Sequence, residues 1–212
     1  MDVTASARRA RRLEYATLAW DGLEAVVTIV AGIVAGSLAL IAFGFDSAIE
    51  IVSAAVVLAH LIAQLRGTEP DEARERLSLR VIAGTFFALA LYVFIDALRA
   101  LAEREHPASS PVGIAFTAIA FVVMTTLARA KRSVASELLA RGLNGPAALL
   151  RADAAETALC ATLGLTTLVG LALNALFGWW WADAVASLVI VWFAIREGRE
   201  AWAGELLCED HD

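Results

Sequence analysis

Residues 32–58 read GIVAGSLALIAFGFDSAIEIVSAAVVL, and the only ionisable side chains in that stretch are Asp46 and Glu50. A helix needs about 20 apolar residues to cross about 30 Å of hydrocarbon. The stretch therefore reads as the end of one spanning helix and most of the next. Working outward in both directions, apolar runs cover roughly 16–42, 44–65, 78–101, 111–130, 147–176 and 179–203. Short charged segments separate them. The predicted fold is all-α, a polytopic membrane protein built as a six-transmembrane-helix bundle over 16–203, with cytoplasmic tails at 1–15 and 204–212. The first and second runs nearly touch at Gly44 and the fifth and sixth at Gly178, so both pairs read as tight hairpins.

Composition agrees. The chain is 59% hydrophobic, against about 45–50% for a soluble domain, and its mean hydropathy is +0.69. No stretch remains for a separate soluble domain of ordinary size. The net charge of -6 is not a surface property, because several acids lie inside the apolar runs. There is no basic cluster interleaved with aromatics, which excludes nucleic acid as a partner. Cys160 and Cys208 do not make a disulfide framework. The basic opening at Arg8, Arg9, Arg11 and Arg12 resembles that of a secretory signal, but a signal's apolar core is only about 7–15 residues. The run from 16 to 42 is nearly twice that and carries Asp21 and Glu24, so it reads as a retained first helix.

Orientation follows from the cations. Fifteen of the 17 basic residues precede the first run, lie between the second and third or the fourth and fifth, or close the sixth; only Arg99 and Arg104 fall on the other side. The positive-inside rule then places both termini in the cytoplasm and supports an even number of spans. Trp179, Trp180 and Trp181 read as an interfacial anchor at the outer start of the sixth run. Gly32 and Gly36, four apart, allow close helix packing. Asn144-Gly145-Pro146 reads as a break followed by a helix start.

The acids inside the runs point to function. A central Asp costs about 3 kcal/mol on insertion scales. No lysine or arginine is expected at the depth of Asp46, Glu50 and Glu156, so these carboxylates must be protonated, hydrated or bound to a cation. Asp46 and Glu50 are four apart, as are Glu156 and Cys160, so each pair shares one helix face. Two helices presenting two ligands each make a four-coordinate site, and carboxylate oxygen with thiolate sulfur suits a divalent cation such as zinc. Clustered carboxylates cannot all ionise cheaply, so the cation must displace protons. The alternative is that these groups only hydrogen-bond helices together inside the bundle.

These stretches resemble the cation diffusion facilitator (cation efflux) family. The segment at 32–58 is similar to its helices 1 and 2, where G-S-x-x-L leads into an acid-x-x-x-acid pair, and Asp46 and Glu50 fall on that pair. RADAAETALCATLG (151–164) resembles the start of the family's helix 5, where A-D-A leads to a His-x-x-x-Asp pair, and Glu156 and Cys160 fall on those positions. WWWADAVASLVIVWFAIREG (179–198) is similar to its helix 6. The resemblance implies a metal-cation exporter that works as a homodimer. It also implies a cytoplasmic domain after helix 6; only 204–212 follow here, so the expectation is a short subgroup without it. Glutamate for the usual His and cysteine for the usual Asp leave the cation open, since one favours harder ions and the other softer ones.

Secondary candidates lie around this set. Asp21 and Glu24 can line an inner vestibule or proton path; Asp21 reads rather as a hydrated interfacial acid and Glu24 as functional. His60 returns to within about 40° of the face of Asp46 and is either a relay or a structural polar residue. Asp96 reads as hydrated and Asp183 as a structural acid at a helix start. Cys208 and His211 in the tail can capture metal, although short polar tails are more often plain. The function expected is export of a divalent transition metal, zinc-like, from the cytoplasm by proton antiport with alternating access. No permanently bound cofactor is called for, because the cation is cargo. The partners expected are the lipid bilayer, the cation, protons and a second copy of the chain. Sixteen arginines to one lysine suggest a GC-rich bacterial source and hence the inner membrane. The rival reading is a membrane-embedded metal sensor or partner subunit without turnover. An enzyme ranks low, for want of a His-Glu-x-x-His pair or a nucleophile–base pattern.

Overall fold

The computed structural model describes residues 3–65, 72–104 and 107–203. Six helices carry nearly all of them: α1 (Val3–Ala35), α2 (Leu38–Leu65), α3 (Glu72–Glu103), α4 (Pro111–Leu139), α5 (Asn144–Phe177) and α6 (Trp181–Ala203). No strand occurs among the described residues. The helices alternate in direction. α1, α2, α5 and α4 close into a ring in which each packs on its neighbours, and α3 and α6 pair with each other against the α2–α5 side.

Small residues make this packing possible. Alanines dominate the buried set, and the largest apolar cluster joins Phe43 of α2, Phe86 and Val93 of α3, Leu163 of α5 and Ile190 of α6. Large apolar side chains point outward instead, among them Val26, Val34, Leu91, Val122 and Trp192. An outward belt of that kind suits a lipid solvent, not water. Among the described residues, Ser6–Ala35, Pro111–Leu139 and Asp153–Phe177 are each long and apolar enough to cross a membrane.

Several boundaries differ from the sequence expectation. α1 begins at Val3, inside the segment read as a tail. The first hairpin turns at Gly36, with φ +66°, and not at Gly44. A left-handed φ suits glycine, so two residues suffice to reverse the chain without any polar interruption. Gly44 lies instead within α2, where a Cβ would stand 2.5 Å from Thr28 Oγ1 and 3.0 Å from the Ile29 backbone nitrogen of α1. Gly32 does the converse from α1, with Ile41 of α2 as its neighbour. Of the predicted Gly32/Gly36 packing pair, one member therefore packs and the other turns. The second hairpin turns at Gly178 as expected, again at φ +66°. The break between α4 and α5 falls at 140–143, where Gly142 has φ +76°, and Asn144-Gly145-Pro146 forms the first turn of α5.

The two hairpin ends are fastened to each other. Ser37 precedes α2, and its Oγ accepts from Leu40 N at 3.2 Å. Asp183, in the first turn of α6, accepts from Ser37 Oγ at 2.5 Å and from Ala39 N at 3.2 Å. The carboxylate thus satisfies an orphan amide of a helix far away in sequence. Asp183 is structural, as read, but it caps α2.

Candidate metal centre

Asp46 and Glu50 lie one turn apart on α2 and are 4% and 2% exposed. They face Glu156 and Cys160, one turn apart on α5. Cys160 Sγ donates to Asp46 Oδ2 at 3.4 Å, so the two helices meet through predicted ligands. Neither carboxylate oxygen of Glu50 has a hydrogen-bond partner among the described residues. A buried carboxylate left without a partner is costly. All four side chains line one cavity of about 10 Å³, a volume that admits a single water-sized particle. Phe86 and Phe193 wall it from the α3–α6 pair, and Glu197 of α6 adds a fourth carboxylate.

Glu197 is 8% exposed and was not singled out from the sequence. Its signal was present: it continues the stripe of Ile190 and Ala194 at helical spacing. Among the described residues, no three of these groups are spaced to hold a metal ion as they stand. The cavity therefore gathers the ligands without closing a coordination shell.

Glu24 of α1 lies beside this set and is fully buried. It accepts from Trp20 Nε1 at 2.6 Å and from Ser47 Oγ at 2.8 Å. Ser47 follows Asp46 in the chain, so Glu24 braces the backbone that carries that ligand. Asp21 corrects the expectation of a hydrated acid: it is 0% exposed, and neither of its oxygens has a hydrogen-bond partner among the described residues. His60 lies on α2, but its side chain falls outside the described residues, as do Cys208 and His211 entirely. Asp96 is half-buried in a separate cleft of about 160 Å³ beside Asp183 and Gly36.

The largest departure is Lys131. Counted with the basic residues of a connection, it is fully buried within the bundle, which corrects the expectation of no cation near the depth of the acids. Its Nζ donates to Asp153 Oδ2, and to Thr157 Oγ1 at 3.1 Å, and lies 3.6 Å from Glu14 Oε2. Met124, Ala128, Lys131, Ala135 and Leu138 form the buried stripe of α4. That periodicity places Lys131 inside.

A comparison with curated proteins finds no match. The model of the cation efflux transmembrane domain matches residues 15–202, a span that holds both ligand pairs and all six apolar runs but for the last residue of the sixth. On that match the chain belongs to the cation efflux family, whose members are membrane transporters of metal cations and not enzymes.

Proposed function

We propose that this protein exports a divalent transition metal, zinc-like, from the cytoplasm by exchange for protons, with Asp46, Glu50, Glu156 and Cys160 as its ligands. The observation that carries the reading is the small cavity that the α2 and α5 pairs line together, in which Glu50 makes no hydrogen bond among the described residues. Two oxygens of α2 facing an oxygen and a sulfur of α5 match the donor preferences of zinc and its neighbours. Several acids so close cannot all be charged without a cation. Protons hold the site when the metal is away, and metal binding releases them. Exposing such a site to one side and then the other yields antiport.

The cavity lies where the α1–α2–α5–α4 ring meets the α3–α6 pair. Motion between those two bodies is the natural means of alternating access. The charge asymmetry supports a reading with both termini in the cytoplasm, and on this reading the working unit is a homodimer in a bacterial inner membrane. The test is metal-stimulated proton flux in proteoliposomes carrying an internal pH dye, with zinc, cadmium, cobalt, manganese and iron(II). Flux in the parent and none in Glu50→Ala is the result expected. Full flux in Glu50→Ala would overturn the ligand assignment. Binding without flux for every ion would turn the reading to a sensor or partner subunit.

A further inference from the structure

Lys131 is a buried ammonium surrounded by oxygen. Its partners come from two other helices: Asp153 and Thr157 from α5 and Glu14 from α1. An ammonium has three donors, and here two are taken by hydrogen bonds while the third side faces Glu14. Both carboxylate oxygens of Glu14 are fully buried and without a hydrogen-bond partner among the described residues, and one points at Nζ from 3.6 Å. Two carboxylates thus face one positive charge. Asp21, two turns along α1 from Glu14, is a third buried acid whose oxygens have no hydrogen-bond partner among the described residues. Removing the partner of such a pair leaves buried charge uncompensated.

The location matters as much as the charge. Asp153 precedes Glu156 by three residues, about 4.5 Å along α5, towards the end of the bundle that carries the N-terminus of α1. Two carboxylates and a hydroxyl gathered around one buried positive charge describe a cation site, and carboxylate with hydroxyl oxygen suits a hard divalent ion such as magnesium or manganese.

We propose that Glu14, Asp153 and Thr157 form a second cation-binding position beside the α2–α5 cavity, that the Lys131 ammonium is its tethered occupant, and that a divalent cation binds there once the ammonium is gone. The position is defined by its own residues and does not rest on the ligand assignment at Asp46 and Glu50. While Lys131 fills it, no divalent ion can come to rest one turn short of the cavity.

The test counts manganese. Free Mn²⁺ is titrated by electron paramagnetic resonance into the purified full-length chain, into Lys131→Met and into Lys131→Met/Asp153→Asn. Lys131→Met should bind one more Mn²⁺ per chain than the parent, and the double variant should return to the parent's count. The readout is an increment, so it holds whatever number of ions the parent binds. An unchanged count in monodisperse Lys131→Met overturns the proposal. If that variant aggregates in metal-free buffer, millimolar Mn²⁺ during purification should restore monodisperse protein. Aggregation that persists with Mn²⁺ overturns the proposal too.

Discussion

Asp183 accepts hydrogen bonds from Ser37 Oγ and Ala39 N, so the first turn of α6 caps the first turn of α2. Removing that carboxylate strands a buried hydroxyl and a buried amide, each worth about 1–3 kcal/mol when left unpaired. Asp183→Ala should lower thermal stability in detergent by roughly 2–4 kcal/mol. Asp183→Asn, which keeps one acceptor, should fall between that variant and the parent. Equal melting of parent and Asp183→Ala would show that the cap contributes nothing.

The bond from Cys160 to Asp46 places sulfur against the α2 pair. Replacing sulfur by oxygen hardens the site. Cys160→Ser should shift the ratio of cadmium to manganese transport towards manganese on the order of tenfold, equivalent to about 1.4 kcal/mol. Competition between the two ions in vesicles measures it. An unchanged ratio would remove the thiol from the selectivity elements.

Glu24 holds Ser47, the residue after Asp46, and Trp20 of its own helix. Groups that orient a metal ligand from behind typically alter affinity 10–100-fold. Glu24→Ala should weaken cation binding by about that factor, while Glu24→Gln, which still offers an acceptor to Ser47, should lose less. If both variants bind as the parent does, the brace has no bearing on the site.

Two glycines give a matched pair. A Cβ at Gly44 would stand 2.5 Å from Thr28 Oγ1 and 2.6 Å from Ile29 Cγ1, whereas nothing lies within 4 Å of one at Gly84. Gly44→Ala should destabilise the protein by about 1–3 kcal/mol, the usual cost of overpacking. Gly84→Ala should be neutral or stabilising by up to about 1 kcal/mol, because alanine is the better helix former. Thermal unfolding of the two variants side by side decides whether the α1–α2 approach is as close as described.

The all-α architecture, the Gly178 hairpin and the meeting of the α2 and α5 pairs were legible because hydropathy and four-residue spacing report directly on spans and faces. The Gly36 turn was not. Its flanks stay apolar through GIVAGSLALIAFG, and the reversal depends on one glycine and on a cap from Asp183, 144 residues away from Ala39. Lys131 was hidden by the positive-inside tally, which sums arginines and lysines by segment and ignores which face each occupies. Its place on the Met124–Ala128–Ala135 stripe marks it as buried once periodicity is weighed against charge. Glu197 was passed over for a related reason, since Arg196 and Arg199 beside it made the end of α6 look solvated.

The fastening of Asp183 to the start of α2 has a mechanical consequence. It makes that end of the seam a pivot. Any tilt of α6 against α2 is then a rotation about Asp183, and displacement grows with distance along the helix. Glu197 lies 14 residues further on, a lever arm of roughly 21 Å at about 1.5 Å per residue. A tilt of about 10° would carry its carboxylate through roughly 4 Å on that arm while scarcely moving the cap. The walls contributed by Phe193 and Glu197 would swing clear of Asp46 and Glu50 like the jaw of a clamp, without breaking a hydrogen bond at the hinge.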